Sequence, residues 1–383
     1  MKNGLQNYHQ LESELKLAAE EHGEPHWLVE RRLSALKKLI QNREISLLSA
    51  NLATKLPKKA DFSQQQELIK QYTEKNLTTK KCLKFVQIGQ TVVAINLPDE
   101  LEEKGVIFTD IFTAFREHPR FTQNNFMGKI ISTTENWLTN YQLAWFNSGV
   151  FIYLPHEMHI KHPFEIYTIQ SAGQRPLVNQ ILVIAEPGSS CSIIHHVVSK
   201  DNNPQQLSSI VEINAKANSK IDFATVATSD GSYYIKRRAI LNRNAAINWT
   251  TGMFSKRNSL IDTSCRLIGS DTIVNQILAM LATGQQQSTI INQVDGLVDK
   301  AKTHEFMRGV QIGSASKVRL PSNENTKLKK VAAGDLSEKS YTDIAECYLP
   351  VLQQIADEDV RKTLKQALNE QLNEFKNKEV LKL

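Results

Sequence analysis

QILVIAEPGSSCSIIHHVV (residues 180–198) is the stretch on which the fold turns. Two short β-branched, apolar runs flank the turn EPGSS (186–190). The turn is far too short for the crossover helix that an open parallel sheet needs between strands. The same pattern repeats on both sides. GVFIYLP (149–155) precedes it, and SSIVEINA (208–215), KIDFATVA (220–227), YYIKRRAIL (233–241) and AAINWTTGMF (245–254) follow. LIDTSCRLI (260–268), TIVNQILAML (272–281), STIINQV (288–294) and EFMRGVQI (305–312) continue it. The punctuation is KANS, TSDGS, NRN, SKRNS, GSD and TGQQQ, turns rich in Gly, Asn, Asp and Ser. The middle of the chain therefore reads as about ten strands at roughly 10–16-residue spacing. A sandwich and a parallel β-helix both fit. The β-helix is favoured, because Asp230-Gly231 and Asp295-Gly296 are the only Asp-Gly pairs and solenoids need no hairpins.

Outward from this core the period changes to that of a helix. In ESELKLAAEEHG apolar residues recur at three and four, Gly23 stops the run and Pro25 restarts it. WLVERRLSALKKLI puts Trp27, Val29, Leu33, Leu36, Leu39 and Ile40 largely on one face, with Glu30, Arg31, Lys37 and Lys38 on a solvated one. Residues 51–80 are polar and read as a linker. KFVQIGQTVVAINLP predicts two strands joined near Gly89, and GVIFTDIFTAFREHPRF a strand and then a helix ending at Pro119. Beyond residue 330, Ser337 is an N-cap candidate for a helix that Pro350 is expected to stop. Asp357, Glu358 and Asp359 suit the start of a second helix, whose apolar stripe is Val360, Leu364, Leu368, Leu372 and Phe375. The predicted fold is mainly β with helical ends: an N-terminal helical region and linker (1–80), a β-helix core (81–330) and a C-terminal helical domain (331–383).

Composition excludes several classes of function. The net charge of +6 is scattered and makes no nucleic-acid case, and the basic run Lys327, Lys329, Lys330 reads as a solvated helix face. The four cysteines, Cys82, Cys191, Cys265 and Cys347, lie at least 74 residues apart, so no disulfide framework or CxxC clip is present. Few, scattered thiols fit a reducing cytoplasm. The N-terminal residues lack a signal-like apolar run and no stretch of 18 apolar residues occurs, so no membrane span is expected. Phosphate loops, dinucleotide fingerprints and nucleophile elbows are missing.

Each chemical candidate has a plainer reading. His156, His159 and His162 flank prolines and alternate across a strand, which favours exposed side chains over a metal site. His195 and His196 lie in one strand, one ring facing in and one out. Cys191 and Cys265 sit mid-strand and Cys347 on the tail helix, where a free cysteine acts as a small hydrophobe. Asp222, Asp230, Asp262, Asp271, Asp295 and Asp299 are dispersed, unlike the clustered carboxylates of polysaccharide-active solenoids. No catalytic, cofactor-binding or metal residue is assigned.

Several segments in order resemble one family. GEPHWLVERRLSALKKL (23–39) is similar to the N-terminal helical signature of the SufB/SufD proteins, which help assemble iron–sulfur clusters. FVQIGQTVVAINLPDELEEKGVIFTDIFTAFREHPRF (85–121) and LAWFNSGVFIYLP (143–155) resemble the approach to that family's right-handed parallel β-helix. Residues 245–281 resemble its middle and 332–364 its helical tail. The short N-terminal portion is nearer the SufD side. Two departures stand out. Residues 307–335 pass almost directly from strand to tail helix, as if several strands were missing. Gly296 stands where the family commonly has a histidine, so no cluster ligand is carried over.

The resemblance implies a non-catalytic, cytoplasmic subunit that pairs with a SufB-like β-helix protein and docks a SufC-like ABC ATPase. It implies a hetero-oligomer, or a homodimer in isolation, with no nucleic acid and no membrane. It implies no cofactor on the isolated chain, the iron–sulfur cluster forming transiently on the complex. Leu336, Tyr341, Ile344, Tyr348 and Leu349 form a candidate partner-binding stripe, set against packing within the chain. Two alternatives remain at this stage: a degenerate SufD paralogue serving as an ATPase-binding platform, and a β-solenoid polysaccharide-active enzyme.

Overall fold

A computed structural model of the chain describes residues 2–41, 83–133, 135–170, 177–199, 207–228, 231–254, 257–283, 286–296, 298–313, 317–321, 324–331 and 338–380. The helices are α1 (Lys2–Glu21), α2 (His26–Gln41), α3 (Asp99–Glu102), α4 (Ile111–Glu117), α5 (Pro119–Asn125), α6 (Trp137–Trp145), α7 (Glu338–Gln354) and α8 (Glu358–Val380). The strands begin with β1 (Leu83–Ile88), β2 (Thr91–Asn96), β3 (Ile107–Asp110), β4 (Ser148–Leu154), β5 (Phe164–Gln170) and β6 (Leu177–Ala185). They continue with β7 (Ser190–Ser199), β8 (Leu207–Ala215), β9 (Lys220–Ala227), β10 (Tyr233–Leu241), β11 (Ala246–Met253) and β12 (Ser259–Leu267). The last are β13 (Ile273–Ala282), β14 (Gln287–Asp295), β15 (Lys302–Ile312), β16 (Lys317–Arg319) and β17 (Thr326–Val331).

From β4 onward the strands alternate between two sheets, and each pairs in parallel with the strand two places away in sequence. This is a flattened parallel β-solenoid. Lys236 meets Asp262 26 residues on and Ser259 meets Ser288 29 residues on, which sets the length of one coil. The predicted parallel β-helix is therefore the fold, and the sandwich is excluded. Among the described residues, antiparallel pairing appears only at the entrance, between β1 and β2 and between β3 and β4.

The recurring turn signals are copies of one corner. Gly188, Asn218, Asn244, Asp271 and Lys300 all have positive φ, between 56° and 75°. Each donates its backbone N–H, where a bond is seen, to the corner below: Gly188 to Ala217, Asn218 to Arg243, Asn244 to Ser270 and Asp271 to Asp299. Gly, Asn and Asp tolerate the left-handed conformation that bends the strand into the next sheet. Inside, inward residues such as Ile193, Phe223, Ile247, Val183, Ile213 and Ala239 fill the lumen.

The helical ends lie on opposite outer faces. Outward residues of the even sheet (Phe151, Leu182, Ile210, Ile240) pack beneath α2, α4 and α6. Outward residues of the odd sheet (Ala224, Val226, Ile277, Ala279, Val310) pack beneath α7 and α8. Arg32 of α2, itself buried, fixes the N-terminal helices. Its guanidinium donates to the Ala144 and Phe146 carbonyls at the end of α6 at 3.0–3.1 Å and pairs with Glu24.

Several expectations need correction. Pro350 does not stop the tail helix, since α7 runs on to Gln354. The hydrogen bond lost at proline is offset by burial of Val351, Leu352 and Ile355 immediately after it. The short helix expected to end at Pro119 stops at Glu117, and Pro119 itself begins α5, at the first position, where its missing N–H costs nothing. Lys327, Lys329 and Lys330 belong to a strand, not a helix face. Residues 307–335 do not pass straight to the tail either: β16 and β17 add one more coil. Ser337 and the linker 51–80 lie outside the described residues.

Candidate functional site

Strand alternation determines what enters the lumen. In β10, Tyr233, Ile235, Ala239 and Leu241 share one parity and are buried, and Arg237 has the same parity. The residue is 3% exposed, and its guanidinium reaches across the solenoid. Nε and Nη2 donate to Thr263 Oγ1 at 3.0 and 2.7 Å, Nη2 to Thr251 Oγ1 at 2.7 Å and Nη1 to Thr225 Oγ1 at 3.3 Å. It also lies 5.1 Å from the centre of the Trp249 ring. No carboxylate among the described residues bonds it, and burial pulls its pKa down to about 9.

The neighbouring coil continues this polar belt. His195 is fully buried, with Nε2 3.0 Å from Thr168 Oγ1 and Nδ1 without a partner among the described residues. Burial, then the charges of His196 and Arg237, push His195 down to about 3, so the ring is neutral. Trp249 Nε1 donates to Cys265 Sγ at 3.2 Å, and burial raises that thiol to about 12. Cys191, also inward, is raised by burial beside Asp222. A neutral imidazole and protonated thiols give the belt hydrogen-bonding capacity but no proton exchange near neutrality and no thiolate.

The exit of the solenoid is different. β17 pairs only with β15 and β16 only with β14, so among the described residues these strands end their sheets. Lys317, Arg319, Lys327 and Lys330 are exposed there, while Leu328 packs on the last lumen cluster. The third region is the tail. Tyr348 Oη donates to the Met280 carbonyl at 2.6 Å, and Ile344 and Tyr348 are fully buried against the odd sheet. Leu349 is 51% exposed. Tyr341 lies on α7, with its side chain outside the described residues, and Leu336 lies outside them altogether.

Residues 167–319 match the family model described as "SUF system FeS cluster assembly, SufBD core domain". Over those residues the solenoid is similar to a SufBD core domain. The chain is 26% identical to the iron–sulfur cluster assembly protein SufD of Bacillus subtilis over 322 residues, 79% of this chain and 72% of that one. It is 24% identical to a SufBD family protein of Staphylococcus haemolyticus over 284 residues, 69% of this chain and 61% of that one. For a SufBD family protein of Synechocystis the identity is 25%, over 63% of this chain and 51% of that one. The chain thus spans less than two thirds of the length of the staphylococcal and cyanobacterial relatives.

Along the solenoid and its entrance the residues singled out in the sequence scatter. His156, His159 and His162 are exposed, and His159 Nδ1 meets Ser190 Oγ at 2.9 Å. His195 points in. His196 points out and stacks on Tyr167, ring centres 4.2 Å apart. Gly296 takes a positive φ of 113°, and a Cβ there would stand 2.4 Å from the Leu267 carbonyl oxygen. A histidine side chain at that position is therefore excluded by the backbone. Among the described residues no three His, Cys, Asp or Glu side chains gather as a metal site. Arg237 was missed by motif reasoning, although its parity with Ile235 and Ala239 already placed it inside.

Proposed function

We propose that this chain serves SUF iron–sulfur cluster assembly as a SufD-like, non-catalytic subunit, pairing with a SufB-like solenoid and docking a SufC-like ATPase. The open basic edge at β16 and β17 carries this reading. An exposed parallel edge offers unpaired backbone groups to a second strand stack, and its lysines discourage indiscriminate pairing. A partner strand bearing carboxylates is the complement. The extra coil supports a pairing subunit over a platform that binds the ATPase alone. Leu349 on α7 remains outward for a docking partner, whereas Ile344 and Tyr348 hold the tail to its own solenoid.

Coexpression with a SufB-like and a SufC-like protein from the same host, followed by affinity purification of this chain, tests the proposal. Recovery of both partners in stoichiometric amounts is expected, and recovery of neither overturns it. The cluster is cargo rather than a resident group here. Anaerobic reconstitution of the isolated chain is expected to give no thiolate-to-iron absorption bands, since Cys191 and Cys265 are buried and held protonated.

A further inference from the structure

A cleft of about 510 Å³ opens between α2, the end of α5 with its following turn, and α6. Its volume falls in the range of small-molecule sites. Arg31, Lys38 and Lys129 line it, and no carboxylate among the described residues does. Arg31 is held in place: Nη1 donates to the Phe126 and Met127 carbonyls at 3.1 and 3.4 Å, and its guanidinium lies 4.9 Å from the centre of the Trp27 ring. Glu212 sits behind Met127, where it accepts the Met127 and Ile131 N–H groups, and does not line the cleft.

Phe126, Met127 and Leu143 also line it, each almost fully buried. Beside them lies Asn140, 5% exposed. Its Nδ2 is used by the Asn136 carbonyl at 3.2 Å, but its Oδ1 accepts nothing among the described residues. A buried carbonyl oxygen without a donor is costly unless a ligand supplies one. Three cations call for an anion, the volume leaves room for a body attached to it, and the orphan oxygen calls for an N–H on that body.

We propose that this cleft binds a phosphorylated small molecule of mononucleotide size that carries an N–H donor. The phosphate sits among Arg31, Lys38 and Lys129, and the donor reaches Asn140 Oδ1. The site lies on the N-terminal helices, away from the basic edge invoked for pairing, so the two proposals stand or fall separately.

Calorimetric titration of the full chain with AMP, ribose 5-phosphate, adenosine and inorganic phosphate tests it. AMP is expected to bind saturably at one site, with adenosine and inorganic phosphate each at least about ten-fold weaker. Lys38→Glu with Lys129→Glu, both away from the core, is expected to weaken AMP by about ten-fold or more while circular dichroism stays unchanged. Asn140→Ala is expected to weaken AMP but not ribose 5-phosphate. No saturable AMP binding up to about 1 mM overturns the proposal. So does AMP affinity indifferent to the lysine reversals or to Asn140→Ala, inorganic phosphate binding as tightly as AMP (an adventitious anion only), or binding of a single-stranded oligonucleotide but not of mononucleotides.

Discussion

Arg237 lies in the lumen with threonine hydroxyls, among the described residues, in place of a counter-ion. Burying a charge on dipoles alone is expensive, so replacement by an apolar group of similar length removes a penalty along with the bonds. Arg237→Met is expected to stay within about 1 kcal/mol of the parent in urea unfolding, while Arg237→Ala, which leaves a cavity and stranded hydroxyls, loses about 3 kcal/mol or more. Glu212 makes a second residue-scale case. Burial raises its carboxyl from 4.5 to about 7 despite the two backbone N–H groups and Gln180 that bond it. Between these values the folded protein holds a proton that the unfolded chain releases, so stability falls as pH rises through that window, by on the order of 3 kcal/mol. Glu212→Gln mimics the protonated acid. Urea unfolding at pH 5 and pH 8 is expected to show the variant gaining on the parent at the higher pH, and an equal difference at both values would contradict this.

At the scale of elements, the tail is bound to the solenoid by close contact. Gly252 in β11 faces α8, and a Cβ there would stand 2.2 Å from Leu364 Cδ1. Gly252→Ala is therefore expected to cost about 1–3 kcal/mol and to raise amide exchange across α8 while the lumen strands stay protected. Asp357 strengthens the same seam, since it accepts the Val360 N–H at the start of α8 and a hydrogen bond from Ser192 on β7. The acidic start of α8 was legible in DEDV, as was the stripe Val360, Leu364, Leu368 and Leu372, all buried. The end of α7 was not legible. Pro350 is a strong local stop signal, and only the tertiary burial of Val351, Leu352 and Ile355 overrides it. The strand identity of 326–331 was hidden for a related reason. TKLKKV has too few apolar residues to show alternation by itself and gains its order by pairing with β15.

For the whole molecule, short β runs with Asn, Asp and Gly turns were enough to favour a solenoid, because one corner conformation recurs in every coil. The sequence did not show which faces the helical ends occupy, since an amphipathic stripe specifies a burial partner only by hydrophobicity. The proposed pairing belongs to the same scale. Reversing the charge of the exit edge, Lys327→Glu with Lys330→Glu, is expected to weaken recovery of the SufB-like partner by about ten-fold or more and to leave the chain's own melting little changed. Weakening that vanishes at high salt would identify the loss as Coulombic.

The placement of the helical ends has a mechanical consequence. The N-terminal helices touch β4, β6 and β8 on one side, and the tail touches β9, β11, β13 and β15 on the other. Between them lies a lumen filled with close-packed side chains and stitched by parallel ladders. Such a body behaves as a stiff beam clamped from both sides. A torque applied to the tail travels along the beam and turns the N-terminal helices with it.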